Sequence, residues 1–261
     1  MSVAVAESRL TYGGAVRAEL LKLTTTRGFV WVVLWSLVLS GLMLATSSAA
    51  PPADATVAEW TVMTVAGGIL MPWVILAVYA ALQATGEWTS GMFRVSFAIV
   101  PRRNLWLAAK ATALAIFAGL VAIAVTALDT VIVLAKYSAE GATIDWTLGH
   151  TWQIFIGVPA VCIMTAVMAV GIGALIRTSG IAVTAVIVLL VVLPFAAFFG
   201  FEWVAHITSF LPSGAGDSLI SAGAFGATSD DLGILGGAAV LLAWSVGACV
   251  AASVAMSRRD A

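Results

Sequence analysis

Long apolar stretches follow one another along the chain, separated by shorter polar connections. A helix crosses the hydrocarbon core of a bilayer with about 20 mostly apolar residues. Six stretches are long enough, and each predicts one transmembrane helix: 29–46, 61–83, 107–135, 152–176, 181–201 and 232–256. Because no Gly/Ser-rich linker or repeat separates them, we expect an all-α, polytopic membrane protein with a single transmembrane domain over residues 1–261.

Basic residues alternate with the apolar stretches in a way that orients them. Eleven of the twelve Lys and Arg residues lie in the two tails and in the second and fourth connections, which leaves Lys136 in the other set. Because positive charge near span ends is retained in the cytoplasm, we expect a multi-pass protein of the cell membrane with both termini inside. A cleaved signal peptide is the alternative for the first span. The charged tail of about 28 residues before it favours a retained helix.

The composition excludes several function classes. The chain is 62% hydrophobic and 10% charged, with a mean hydropathy of +1.08, which leaves too little polar surface to cover a soluble globule. A net charge of −1, with basic residues spread along span ends, argues against a nucleic-acid partner. The chain contains no phosphate-binding Gly-x-x-x-x-Gly-Lys-Ser/Thr loop, no His-Glu-x-x-His and no Gly-x-Ser-x-Gly. We therefore expect no enzymatic site, no ATP site and no metal site of its own.

The tail before the first span has the pattern of a short amphipathic helix over 10–27. Its apolar positions recur at i, i+4 and i+7 and are Val16, Leu20 and Leu23. Its polar positions are Arg17, Glu19 and Lys22. This pattern is typical of a helix that lies on a membrane surface, with its apolar face down and its charged residues solvated.

The second connection, 86–104, mixes charged and apolar side chains. Glu87 and Arg94 are seven residues apart, so a helix through both would place them on one face. Pro101 would end such a helix before the third span. The apolar residues at helical spacing, which suit docking into a groove, are Phe93, Phe97 and Val100. The alternative is an ordinary basic loop held at the lipid headgroups.

Charged residues are scarce inside the predicted spans. Asp129 lies in the outer part of the third span, where it is either a functional group or an acid at the outer headgroup rim. Each charged residue can be assigned to a span end or a connection. This disfavours an ion-coupled carrier, because such a carrier needs ionisable groups near the midplane.

The chain resembles the type-2 ABC exporter permeases, the membrane half of an ATP-driven pump whose ATPase is a separate polypeptide. The resemblance covers nearly the whole chain and rests on the tail segment 18–23 (Ala-Glu-Leu-Leu-Lys-Leu), the 86–104 connection and the six-span layout. It implies that the tail is a connecting helix, that 86–104 holds a coupling helix seated on the ATPase, and that 203–229 forms outer re-entrant helices. The chain departs from ABC importers, whose coupling loop has its Gly about six residues after its Glu, because Gly91 is only four residues beyond Glu87.

The resemblance also implies roles for individual residues. The ATPase-coupling residues would be Glu87, Gly91, Arg94, Pro101, Arg102 and Arg103, and the connecting-helix residues Arg17, Glu19 and Lys22. The substrate path, between two permease copies, would be lined by Met71, Pro72 and Trp73 in the second span and by Phe195, Phe198 and Phe199 at the outer end of the fifth. The phenylalanines form either an apolar plug or a lipid-facing or packed cluster.

Three hypotheses for the function remain. The first is the permease of an ATP-driven exporter with an amphipathic or apolar cargo, such as a drug, an antimicrobial peptide or a lipid. Its partners would be two copies of a P-loop ATPase, which binds the ATP and Mg, a second or homologous permease, and membrane lipid. The second hypothesis is an ion-coupled secondary carrier or channel. The third is a structural or assembly subunit of the membrane.

Overall fold

The computed structural model describes residues 11–47, 56–93, 103–199, 201–220 and 232–259, and no strand occurs among them. The α-helices are α1 (Tyr12–Thr25), α2 (Arg27–Thr46), α3 (Val57–Gly67), α4 (Leu70–Thr89), α5 (Arg103–Lys136), α6 (Gly149–Ile176), α7 (Ser179–Ile187), α8 (Glu202–Ser209), α9 (Pro212–Ile220) and α10 (Gly233–Arg259). Six candidate spans are long and apolar enough to cross a membrane: Arg27–Thr46, Val57–Thr89, Arg103–Lys136, Gly149–Ile176, Ser179–Ala196 and Gly233–Arg258. The predicted all-α, polytopic architecture is confirmed.

The fourth span, α6, lies at the centre of the bundle and packs against α4, α5 and α10. Two glycines allow the close approach. A Cβ atom on Gly171 would lie 2.6 Å from the backbone carbon of Ala248 in α10, and one on Gly173 would lie 2.8 Å from Cβ of Ala84 in α4. Small residues of this kind let membrane helices gain van der Waals contact, since lipid supplies no hydrophobic driving force between them.

The second span is broken between α3 and α4 at Gly68 and Ile69. Pro72 accounts for the position of the break. In a continuous helix its ring would clash with the carbonyl group of Gly68, four residues earlier, and it has no N–H to donate. The proline then lies in the first turn of α4, where a missing N–H costs little. The chain therefore passes through the membrane region as two shorter helices.

The fifth span changes its helix type twice. After α7 the chain widens into a π-helix, Val188–Val192, in which the N–H of Leu193 bonds the carbonyl oxygen of Val188 at 2.8 Å. A 3-10 helix, Pro194–Phe199, follows. Pro194 cannot continue an ordinary α-helical turn, so the wider turn before it is the local solution. The regular helix that the apolar run 181–201 predicts is thus not formed over its full length.

Helices α8 and α9 fill the predicted re-entrant region up to residue 220, and 221–229 lie outside the described residues. Every residue of α9 is buried, and the helix packs on α10 and α6. A Cβ atom on Gly237 of α10 would lie 2.5 Å from the carbonyl oxygen of Ala215, so the two helices touch at their backbones. That this segment enters the membrane from the outer side stays a prediction.

Spans differ strongly in how much the bundle covers them. The most apolar window of the fourth span is 67% buried, whereas those of the first, fifth and sixth are 17%, 22% and 17% buried. The three peripheral spans present long apolar faces away from the chain's own core. These faces suit contact with lipid or with another membrane-embedded chain.

Candidate functional site

Two acids and two lysines meet where α1 crosses the end of α4 and the beginning of α5. Nζ of Lys110 lies 2.6 Å from Oε2 of Glu19 and 2.8 Å from Oε1 of Glu87. Nζ of Lys22 lies 2.6 Å from Oε1 of Glu19 and 3.1 Å from Oε1 of Glu87. Each lysine therefore bonds both acids, which makes a closed ring with no net charge. We call these four residues the charge junction.

Helix geometry explains how α1 supplies half of the junction. Glu19 and Lys22 are three residues apart, so they lie on adjoining turns of the same helix face. Thr11 starts the helix, since its Oγ1 accepts the N–H of Gly14 at 3.2 Å. Tyr12 then joins this end to α5 through a 2.5 Å contact between its Oη and Oγ1 of Thr112. The helix is thus fastened to α5 at two points.

The inward face of α1 differs from the predicted one. Its buried residues are Ala15, Glu19 and Leu23, at i, i+4 and i+8. Val16 and Leu20 are half-buried, while Arg17 is exposed as expected. The expectation that Glu19 lies on the solvated face is therefore wrong. Its carboxylate faces inward because Lys110, deep in the bundle, needs an opposite charge.

The charge junction is largely shielded from solvent. Lys110 is 3% exposed, Glu87 6% and Glu19 7%, whereas the Lys22 side chain retains 35% of its exposure. Trp106 of α5 completes the site, because its Nε1–H donates to Oε2 of Glu87 at 3.2 Å. Its ring centroid also lies 5.3 Å from Nζ of Lys110. Buried charges that are paired and hydrogen-bonded in this way are tolerated, but each depends on its partners.

Lys22 lies on α1, outside the membrane-spanning segments, and its pKa is raised. Burial on its own would lower the pKa of this amine. The hydrogen bond and charge of Glu19, and then the charge of Glu87, favour the protonated form more strongly. The net result is an ammonium group that stays charged throughout the physiological pH range.

A cavity of about 300 Å³ adjoins the charge junction. Besides the four charged residues, its walls include Thr25, Thr26, Gln83, Ser90 and Met92. It opens beside the last turn of α4, where the 86–104 connection begins. The last turns of α1 and α4 are therefore joined by the charged side chains, with open space beside them.

Aromatic contacts and a hydrogen bond connect the same region to the other spans. The Arg177 guanidinium lies 4.1 Å from the ring centroid of Trp88, and Phe93 stacks on that ring at 4.8 Å. Arg177 ends α6 in a left-handed conformation, with φ of 65°. Arg103, at the start of α5, donates from its guanidinium to the carbonyl oxygen of Met256 at 2.9 Å. The charged ends of α4, α5, α6 and α10 thus meet at one end of the bundle, which we call the basic end.

The predicted ATPase-coupling residues are divided by these contacts. Glu87 belongs to α4 and faces inward, and α4 ends at Thr89, followed by Gly91 with φ of +73°. The single helix through Glu87 and Arg94 is therefore wrong, because a left-handed residue stops it between them. Arg94, Pro101 and Arg102 lie outside the described residues. Their contact with an ATPase stays a prediction, as does that of Arg103.

The predicted substrate-path residues differ in exposure. Met71 is 45% exposed, but Pro72 is buried and Trp73 is 1% exposed, with its Nε1–H donating to Oγ1 of Thr165 in α6 at 3.0 Å. Phe195 is exposed, and the side chains of Phe198 and Phe199 lie outside the described part of the chain. Trp73 is packed inside the bundle here, and the role of the group as a path stays a prediction.

Asp129 is buried, which an acid at the outer headgroup rim would not be. It lies seven residues before the end of α5, about 10 Å along the helix. It is 1% exposed, and Oγ of Ser40 in α2 lies 2.6 Å and 2.7 Å from its two carboxyl oxygens. The acid is therefore inside the bundle, within the span.

Sequence reasoning missed the pairing within the charge junction, although one signal was available. Four acids lie on the basic side of the spans, whereas nine lie on the other. Glu19 and Glu87 are two of those four, and Lys110 stands within an otherwise apolar run. A lysine buried in a span requires a counter-charge, so these acids were its candidates.

Within the described ranges, no group of three or more His, Cys, Asp or Glu residues is arranged to hold a metal ion. No protein-family model matches this chain, and no curated protein matches it significantly. The charge junction and the bundle around it are therefore the features from which a function must be inferred.

Proposed function

We propose that this chain is the membrane-spanning permease subunit of an ATP-driven ABC exporter, with its basic end and both termini in the cytoplasm. The charge junction carries the proposal. It joins an N-terminal surface helix to the last turn of α4, directly before the connection in which a coupling helix would follow. ATP and Mg bind to the partner ATPase, and this chain holds no cofactor.

A separate ATPase can drive a permease only if its movement reaches the spans. Glu87 fastens the end of α4 to Lys22 of α1 and to Lys110 of α5. A displacement of the 86–104 connection therefore moves three helices together. Coupling also requires that ATP binding favour one of the two states, inward-open or outward-open, over the other. ATP then shifts the populations of these states.

The peripheral spans support assembly with a second permease. The first and fifth spans keep apolar faces that the chain's own bundle leaves uncovered. Six spans form half of a transporter of this class, so two permease copies, or this chain with a homologous permease, would join two ATPase subunits. Membrane lipid covers the remaining apolar surface.

An apolar groove supports an amphipathic or apolar cargo. It has a volume of about 810 Å³ and lies between α6, α7 and α10. Its walls include Ile172, Leu175, Leu189 and Trp244. Sites for small organic molecules are mostly apolar and of roughly 300–1,000 Å³. Drugs, lipids and apolar peptides are the cargo classes that such walls accept.

Co-purification of the tagged protein from mild detergent tests the proposal. We expect a P-loop ATPase at one copy per permease, with loss of the ATPase when Glu87→Lys disrupts the charge junction. Glu140→Lys, at an exposed acid of the opposite end, is the matched control and should retain the ATPase. A wild-type permease that is recovered alone, and transports without ATP in liposomes, would contradict the proposal.

An ion-coupled carrier is the second candidate, because Asp129 is an acid buried within a span. Such a carrier would accumulate cargo in ATPase-free liposomes under a proton or sodium gradient. An exporter permease would not do so. The comparison of the two gradients, each with an ionophore control, separates the candidates.

A further inference from the structure

The carboxyl group of Asp129 lies where α2, α5 and the break between α3 and α4 meet. Gly68, in that break, faces it so closely that a Cβ atom there would overlap the carboxyl group and Oγ of Ser40. Ser40 faces it from α2, on the buried stripe that also contains Ser36 and Leu44. The acid is thus enclosed by three elements of the bundle.

Within the described part of the chain, the neighbouring elements form no ion pair with this acid. Their charged or titratable groups are Arg27 on α2, Glu59 on α3, Tyr79 and Glu87 on α4, Arg103, Lys110 and Lys136 on α5, and His150 and Cys162 on α6. The nearest along its own helix is Lys136, whose Nζ bonds the carbonyl oxygens of Leu44, Ala45 and Ser47 instead. Among the described residues, Ser40 is the hydrogen-bond partner of Asp129.

The number of hydrogen-bond donors around the carboxyl group favours its protonated form. Both carboxyl oxygens lie within hydrogen-bond distance of the same Oγ, at 2.6 Å and 2.7 Å. A serine hydroxyl carries one hydrogen and can donate to one of these oxygens. A carboxylate would have to share that single hydrogen between its two oxygens, whereas a carboxylic acid can also donate its own proton to Oγ. A carboxylate would have one donor in an apolar region, where the ionised form is strongly disfavoured.

We propose that Asp129 is an intramembrane proton-binding site, occupied in this conformation and completed by Ser40. The neutral acid lets α2, α5 and the α3–α4 break pack together. Ionisation as the pH rises leaves a carboxylate without enough donors, so it favours movement of the break away from Asp129. Proton binding and the position of the break are therefore linked. This inference does not depend on an ATPase.

Infrared spectroscopy of the purified protein in lipid nanodiscs, without ATPase, tests the proton directly. A protonated carboxylic acid has a C=O stretching band that a carboxylate lacks. At pH 7 in D₂O, we expect the difference between wild type and Asp129→Asn to contain one such band. The difference between wild type and Asp145→Asn should contain none, because Asp145 lies outside the spans and the hydrogen bonds of Thr147 lower its pKa. Identical acid-carbonyl spectra of wild type and Asp129→Asn would overturn the proposal.

Ser40→Ala provides a test that keeps the acid and does not depend on the folding of Asp129→Asn. The band should remain and shift to higher frequency, because the carbonyl group loses its hydrogen-bond donor. An unshifted band would overturn the role of Ser40. In wild type, the band should have equal intensity in sodium and choline buffers. A band that appears only without sodium would overturn the proposal in favour of a bound cation.

Discussion

Lys110 is the residue on which the charge junction depends most, since it bonds both acids and is nearly inaccessible. Lys110→Met should destabilise the protein by about 3–5 kcal/mol, because Glu19 and Glu87 lose their buried counter-charge. A lowered thermal unfolding temperature of the purified permease would reveal the effect. Arg17→Met, at an exposed position of α1, serves as the control and should change it little. Equal unfolding temperatures for the two variants would contradict the account.

Lys22 gives the charge junction a pH dependence. Its folded-state pKa is raised above the ordinary value of 10.5, chiefly through Glu19 after the opposing effect of burial. The stability that this lysine contributes is therefore fully present below pH 10.5 and is lost as the pH rises through the folded-state pKa. Lys22→Arg should reduce this alkaline loss, because arginine keeps its charge. The unfolding temperatures of wild type and Lys22→Arg, measured across the alkaline pH range, test this prediction. Parallel curves of unfolding temperature against pH would contradict it.

At the scale of elements, the contact between α4 and α6 depends on a missing side chain. Gly173→Ala should cost about 1–3 kcal/mol, since the new Cβ atom would meet Ala84 and the backbone of Ala81. Gly247→Ala on α10 is the matched control, because nothing lies within 4 Å of its Cβ position. The control should be neutral or slightly stabilising, as alanine favours helices. Thermal unfolding of both variants tests this prediction. If Gly173→Ala were as stable as wild type, α4 and α6 could separate without cost, contrary to the account.

The elements also differ in how far the sequence could predict them. Span number followed from apolar length, which is a local property. The break before Pro72 and the π-helix before Pro194 were less accessible, because a proline indicates a disturbance without specifying how the chain resolves it. Glu19 was assigned to the wrong face of α1, since its partner Lys110 is 91 residues away and amphipathic spacing contains no information about it. The burial of Asp129 could not be predicted, because it depends on how α2 and α3 pack against α5.

At the scale of the whole molecule, the basic residues predict that both termini and the basic end are cytoplasmic. In a protein with Cys162→Ala and Cys249→Ala, we expect Ser257→Cys to react with a membrane-impermeant maleimide only after the cells are opened. Thr143→Cys, on the opposite end, should react in intact cells. Both positions are exposed, so reagent access is comparable. Labelling of Ser257→Cys in intact cells would reverse the assigned orientation.

Taken as one body, the bundle has a buried centre around α6, three lightly covered spans and a charged basic end. In a pump, this division would let the peripheral spans meet lipid or a second permease while the basic end receives the ATPase. The charge junction would then be the mechanical link between the two. Its four side chains hold α1, α4 and α5 in one relative position.

The most direct test of that link is to measure ATP hydrolysis and export of a fluorescent amphipathic dye together, in liposomes that contain the permease and its co-purified ATPase. For Glu87→Gln, which keeps the shape of the side chain and removes its charge, we predict continued hydrolysis with export slowed roughly tenfold or more. The Glu140→Gln control should match wild type. Equal export per ATP in wild type and Glu87→Gln would contradict the claim that the charge junction couples the ATPase to the spans.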